Sequence, residues 1–271
     1  MSATVSPADA ACFRVLVTGA SRGIGAAVAL KLGQLHGRRL RIAIAGHAPS
    51  AALDATYESL AKLGAAATPV TGDLADVAVP GRLVEEAAAF CGGLDGIVAN
   101  AGVTGPAPLA GLAPAEWDRL FAVNTRSAWL LAKAGHPHLA ASRGAFVAVA
   151  SASGLTPHPG MGAYSATKAA LIMLCRQLAQ EWAPAGIRVN SVSPGMIRTT
   201  LTEAIYRDPA VAAERNRIVP LGRVGTPEDV AGTVAFLLGP EAAFIVGQSI
   251  CMDGGYTESA LGRIPGLPRS A

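Results

Sequence analysis

Aromatic side chains are scarce in this 271-residue chain: six Phe, four Tyr and three Trp, 5% in all. A core therefore has to be filled mainly by Ala, Val, Leu and Ile. Half the residues are hydrophobic, so a sizeable core can be buried at this length. The abundant Ala and Gly suit tight packing of helices on a sheet. Charge is sparse too, at 15% with a net +3. Only Arg38-Arg39-Leu40-Arg41 clusters, and it reads as a solvated strand entrance. Dispersed basic residues make no nucleic-acid stripe. The four cysteines, Cys12, Cys91, Cys175 and Cys251, are far apart and form no Cys-x-x-Cys. They read as reduced, buried thiols, which excludes zinc and disulfide frameworks. The five histidines form no His-Glu-x-x-His. His136-Pro137-His138 reads as a helix end, and no metal is expected. No apolar stretch reaches the roughly 18 residues of a membrane span. Residues 1–12 lack the basic and apolar regions of a signal peptide. The expected location is the cytoplasm, with no membrane and no nucleic-acid partner.

Lysine is scarce as well: Lys31, Lys62, Lys133 and Lys168 stand against eighteen arginines. Lys168 follows Tyr164 by four residues, and Ser151 lies 13 residues before the tyrosine. Positions i and i+4 share one helix face, so the Lys168 ammonium can lie near the Tyr164 phenol. A phenol titrates near 10, and a general acid or base works best nearer the operating pH. A neighbouring ammonium, with any positive charge on a cofactor, moves it that way. Ser151 would hold a carbonyl oxygen while Tyr164 protonates it. Taken alone, the pair equally describes an ordinary surface pair on an amphipathic helix.

Short apolar runs alternate with amphipathic stretches along the chain. Strands are expected at Phe13–Thr18, Leu40–Ala45, Ala67–Thr71, Leu94–Ala99, Ala145–Ala150, Ile187–Val192 and Ser249–Met252. Helices are expected at Gly25–Leu35, Ala51–Leu63, Arg82–Cys91, Ala115–Ala134, Ala163–Trp182 and Glu228–Leu238. Such alternation indicates an α/β fold, a parallel sheet covered on both faces. We read a single domain over residues 13–257, with loose ends at 1–12 and 258–271. Residues 197–220 interrupt the rhythm with a polar stretch between a strand and a helix. Ligand crevices lie at strand C-termini, so this stretch is a candidate substrate lid.

The first expected strand runs directly into Thr18-Gly19-Ala20-Ser21-Arg22-Gly23-Ile24-Gly25. Glycines after a strand and before a helix allow a tight turn and close approach to a pyrophosphate. Asn100-Ala101-Gly102, Asn124, Ser151, Tyr164-Ser-Ala-Thr-Lys168 and Pro194-Gly195 follow in order. In that order the motifs resemble the short-chain dehydrogenase/reductase family, over about residues 13–255. The resemblance implies a Rossmann-type, doubly wound sheet of about seven parallel strands and a homotetramer (or homodimer). It is greatest to the compact single-domain branch of 3-oxoacyl-[acyl-carrier-protein] reductases and related ketoreductases.

By position, the resemblance assigns catalysis to Asn124, Ser151, Tyr164 and Lys168. It places a dinucleotide against Gly19, Ser21, Arg22, Gly23, Ile24 and Gly25, and against Asp73-Leu74 and Asn100-Ala101-Gly102. Tyr164, Lys168, Pro194-Gly195, Ile197 and Thr199 would meet its nicotinamide end. The family's usual Asn-Asn-Ala-Gly is Ala99-Asn100-Ala101-Gly102 here, a mild departure. An NAD site wants a carboxylate at the end of the second strand. This chain has Gly46-His47-Ala48-Pro49-Ser50 there. NADP(H) is therefore favoured over NAD(H), with Arg22 as main phosphate contact and His47 or Ser50 as helpers. Ser153, Leu155, His158, Met161 and Met196 are expected to line the substrate pocket. The expected activity is reversible reduction of a ketone to a secondary alcohol. The alternatives are a 3-oxoacyl thioester (acyl-carrier-protein) reductase and a nucleotide-binding regulator without turnover. Leu130 and Ala185 stand where carrier-protein reductases often keep basic residues, which weighs against the first.

Overall fold

The computed structural model describes residues 12–200 and 202–260. Seven strands form one parallel sheet: β1 (Phe13–Thr18), β2 (Leu40–Gly46), β3 (Ala66–Thr71), β4 (Gly96–Ala99), β5 (Ala145–Val149), β6 (Arg188–Pro194) and β7 (Ser249–Met252). Their order is β3-β2-β1-β4-β5-β6-β7. Successive side chains point to opposite faces, and both faces are covered. Val15 and Val17 join one apolar cluster and Leu16 the other. That is why the strands read as unbroken apolar runs rather than alternating ones. The first face is covered by α1 (Gly23–His36), α2 (Ala51–Lys62) and α8 (Pro227–Leu238). The second is covered by α3 (Val79–Cys91), α5 (Ser127–Ser142) and α6 (Tyr164–Trp182). The chain winds outward from β1 to β3, then returns to place β4 on the other side of β1. This reversal opens a crevice above the C-terminal ends of β1 and β4.

Most expected boundaries fall within a few residues of those observed. One helix was expected over Ala115–Ala134. Instead α4 (Pro114–Phe121) runs through a π-helical turn, Ala122–Arg126, into α5. Pro137 does not end that helix as expected but lies inside it. A proline costs its helix one hydrogen bond. The buried face of α5 continues through Leu139, and tertiary packing of that face outweighs the lost bond. The cysteines also divide. Cys91 and Cys175 are buried as expected, whereas Cys12 and Cys251 are exposed. Cys12 precedes β1, and Cys251 lies on the edge strand β7, so neither is covered by a helix. Arg38 and Arg39 are exposed at the entrance to β2, as expected.

The sheet is tied to its last helix by Arg188 at the start of β6. Its guanidinium donates to the carbonyls of Leu237, Leu238, Gly239 and Ala242. These bonds satisfy the exposed carbonyl end of α8, where a cation is favoured. The other end of α8 is set by a capping box, Thr226 with Asp229, followed by Pro227. The stretch expected as a lid holds a short 3₁₀ turn, Glu203–Arg207, and α7 (Pro209–Ile218).

Candidate active site

The crevice is built first by Thr18, the last residue of β1. Its hydroxyl donates to the Val98 carbonyl at 3.2 Å and accepts from the amides of Asn100 (3.0 Å) and Ala101 (3.2 Å). The Asn100 side chain donates back to the carbonyls of Thr18 (2.9 Å) and Gly19 (3.2 Å). The ends of β1 and β4 are thus clamped together. Gly19 and Gly23 have φ of +65° and +60°, a region that favours glycine. A Cβ on Gly25 would run into the Gly19 carbonyl oxygen and lie 2.5 Å from Asn100 Nδ2. No larger residue fits this turn. The N-terminus of α1 opens onto it, with Arg22 at the N-cap and no side chain capping the first amides. Free amides and a positive helix end make an anion site. The cradle fits the pyrophosphate of a dinucleotide.

The other expected cofactor residues border the same crevice. Ser21 Oγ lies 2.9 Å from where a Cβ on Gly46 would stand, and Ile24 packs on the core. His47 Nδ1 is 3.9 Å from Asp73 Oδ1, both side chains well exposed. Leu74 is buried. The segment after β6 crosses to the glycine loop, because a Cβ on Gly23 would lie 3.6 Å from Thr199 Cβ. Gly195 donates to the Met252 carbonyl at 3.0 Å, and Ile197 bridges to Gly225. The Ile197 carbonyl accepts from the Thr202 hydroxyl at 2.9 Å.

The catalytic candidates converge beside Gly102. Tyr164 opens α6 and Lys168 lies one turn on. Lys168 is 3% exposed, which removes the surface-pair reading. Its Nζ donates to the Val149 carbonyl at 2.9 Å and stands 5.8 Å from the centroid of the Tyr164 ring. A Cβ on Gly102 would lie 3.2 Å from Asn124 Oδ1 and 3.3 Å from Lys168 Nζ. Glycine there lets the two heads approach. Asn124 sits in the π-helical turn, 1% exposed. Such turns recur at functional sites. Its amide group accepts from the Val103 amide (2.8 Å) and donates to the Val103 carbonyl (2.9 Å) and Thr167 Oγ1 (3.1 Å). Ser151 follows β5 and accepts from the Ser153 amide at 3.1 Å.

Two supporting residues escaped the sequence reading. A Cβ on Gly154 would stand 2.7 Å from the Lys168 carbonyl carbon, so this glycine lets the Ser151 turn lie directly on α6. A glycine three residues after the serine was the available signal. Thr167 receives Asn124 and donates to the Tyr164 carbonyl at 2.7 Å. Nothing in its spacing announced that role.

Among the protein's own groups, the balance at Tyr164 runs upward. Burial pushes the phenol above its usual value, and the Ser151 hydroxyl beside it pulls more weakly the other way. Burial acts on Lys168 as well, lowering it to about 8, with Cys175 opposing. Both groups are dominated by desolvation of the charged form.

The expected substrate residues fall in two places. Ser153 Oγ lies 3.1 Å from His158 Nδ1, and Met161 bridges to Ala107 on the facing loop. Leu155 is 42% exposed. Met196 lies on the segment after β6, where its carbonyl accepts from the Gly225 amide at 2.9 Å. Beyond it, Tyr206 is buried between the guanidiniums of Arg198 and Arg215, at 5.6 and 5.5 Å from its ring.

A family model described as enoyl-(acyl carrier protein) reductase matches residues 19–257. The chain belongs to the short-chain dehydrogenase/reductase family. It is 38% identical to the cis-4-hydroxycyclohexanecarboxylate dehydrogenase of Sinomonas cyclohexanicum over 244 residues, 89% of this chain and 95% of that one. It is 34% identical to a 3-oxoacyl-[acyl-carrier-protein] reductase of Staphylococcus aureus over 241 residues, 89% and 96% of the two chains. A solved structure from Beutenbergia cavernae, described as an NAD(P)-dependent gluconate 5-dehydrogenase with NADP at low occupancy, superposes with a TM-score of 0.84. It is 33% identical, with 94% of this chain and 100% of that one covered. Membership gives the single Rossmann-like domain and an oxidoreductase acting on alcohol or ketone groups. Among the described residues no helix is long and apolar enough to cross a membrane.

Proposed function

We propose that this short-chain dehydrogenase/reductase reduces a ketone reversibly to a secondary alcohol with NADP(H). The observation that carries the reading is a buried lysine within one helical turn of a tyrosine, beside a serine at the mouth of a dinucleotide cradle. When bound, the nicotinamide ring supplies the hydride. Ser151 Oγ donates to the carbonyl oxygen and fixes its position. Tyr164, kept protonated by burial, gives that oxygen its proton. Lys168 orients the sugar next to the nicotinamide and carries the charge that steadies the phenolate left behind. Asn124, fixed by Val103 and Thr167, holds the start of the path by which the proton is replaced. The region 197–220 acts as the substrate lid, and the protein works in a reducing compartment, the cytoplasm.

The choice of NADP(H) rests on Arg22, exposed at the N-cap of α1, and on the missing acid after β2. His47 or Ser50, just after β2, would assist Arg22. A charge-assisted contact contributes about 1.5–3 kcal/mol. Arg22→Ala should therefore raise the KM for NADPH by about ten- to hundredfold and leave that for NADH nearly as it is. Equal effects on both coenzymes in steady-state kinetics would remove Arg22 from phosphate recognition.

We also propose a homotetramer (or homodimer). Trp129 on α5 and Met173 on α6 are exposed, as is Phe244 before β7. A cleft of about 500 Å³ lined by Phe121, Trp129 and Leu174 lies between the helices. Exposed apolar surface of this kind is covered in assemblies. Light scattering should give a multiple of the chain mass of 27.3 kDa; a monomer at micromolar concentration would contradict it.

A further inference from the structure

The loop after β5 carries more polar chemistry than one reacting carbonyl requires. Ser151 and Tyr164 already answer that oxygen. Two residues on, the Ser153 amide donates to Ser151 Oγ at 3.1 Å, and the Ser153 hydroxyl lies 3.1 Å from His158 Nδ1. The imidazole is therefore joined to the reacting serine through a single residue. With Nδ1 committed to Ser153, Nε2 is the nitrogen left for a ligand on this exposed side chain. With the Ser153 hydroxyl as the donor to Nδ1, the proton stands on Nε2 and Nε2 donates; with the proton on Nδ1, Ser153 Oγ accepts it and Nε2 accepts instead. A substrate oxygen selects the first arrangement.

The placement is held from both sides. Pro157 and Pro159 flank His158, and each fixes its own φ. The loop is pinned to the segment before α4, through the Ala107–Met161 bridge and a 2.9 Å bond from the Gly162 amide to the Ala107 carbonyl. A Cβ on Gly162 would lie 2.6 Å from the Gly105 carbonyl oxygen, so the two loops are in direct contact. A donor held this way loses little freedom when it binds.

We propose that Ser153 and His158 form a specificity pair for a second oxygen of the substrate. A carbonyl or carboxylate oxygen accepts from His158 Nε2 while Ser151 and Tyr164 hold the reacting one. The preferred substrates are then ketones, and the matching alcohols, that carry another oxygen acceptor. This rests on the ketone-reductase reading above and narrows its substrate class.

The test compares kcat/KM for 4-oxocyclohexanecarboxylate, its methyl ester and cyclohexanone, with saturating NADPH or NADH. Wild type should favour the two bifunctional ketones over cyclohexanone. His158→Phe should cut that preference by about tenfold or more, mainly through KM, as expected for a lost hydrogen bond to substrate. His158→Gln keeps an N–H donor and should restore part of it, with Ser153→Ala falling between. A response of acid and ester together assigns a neutral acceptor; a response of the acid alone assigns an anion. NADPH titration of His158→Phe reports whether the variant is folded. An unchanged preference in folded His158→Phe, or an equal loss on all three ketones, would overturn the pair while ketone reduction stands. If wild type reduces none of the three with either coenzyme, the pair falls as a site for this substrate class, and the wider carbonyl panel decides the ketone-reductase reading separately.

Discussion

Tyr164→Phe should lower turnover about 10³-fold, within the 10²–10⁴ range of a general acid, and leave NADPH affinity little changed. The substitution removes one hydroxyl and keeps the ring that opens α6. Lys168 and Asn124 make their hydrogen bonds to Val149, Val103 and Thr167, not to the phenol, so the scaffold is not disturbed. Burial raises the phenol, which keeps Tyr164 protonated at neutral pH, the form that reduction needs. Stopped-flow or steady-state NADPH oxidation, beside fluorescence titration of NADPH, separates the two quantities. A loss below tenfold with intact binding would take the proton donation away from Tyr164.

Lys168→Met should also remove most turnover, and it should change the pH dependence of stability in a defined direction. The Lys168 ammonium is buried, and its folded value of about 8 lies below the ordinary 10.5. Between those values the unfolded chain binds more protons than the folded one, so stability rises with pH. The burial penalty is fully present below about pH 8 and fades as pH rises toward 10.5. Methionine carries no such penalty. Wild type should therefore gain about 2–3 kcal/mol relative to Lys168→Met between neutral pH and about pH 10. Cys91 and Cys175, pushed up to about 11 and about 12, act in the opposite direction above pH 9. They are present in both proteins and largely cancel in the difference. Urea unfolding of both at several pH values reads it. A difference that stays flat, or that moves against wild type as pH rises, would show that Lys168 is not held charged against burial.

Much of this was legible from residues alone because the constraints are local. Gly19, Gly23 and Gly25 follow a run of apolar residues and precede a helix, and the geometry of that turn admits only small residues. The Thr226–Asp229 capping box starts α8 at Pro227, one residue before the expected start, a local signal that the apolar periodicity alone did not supply. The strands were readable because covering both faces leaves no polar alternation. The failures have tertiary causes. Pro137 reads as a helix end, yet packing around Leu139 carries α5 beyond it. Asn124 was found by resemblance, but its π-helical turn has no sequence marker. Thr167 and Gly154 matter only because distant segments fold onto them. Spacing places Lys168 near Tyr164 but does not reveal that its ammonium is buried against the Val149 carbonyl and near Cys175.

The most direct test of the central claim is nucleotide oxidation by the purified protein against a panel of ketones, diketones and 3-oxoacyl thioesters, with NADPH and NADH compared. The account predicts turnover of a ketone with a strong preference for NADPH, yielding a secondary alcohol. Tight NADPH binding with no turnover of any carbonyl, or turnover that is equal with NADH, would contradict it.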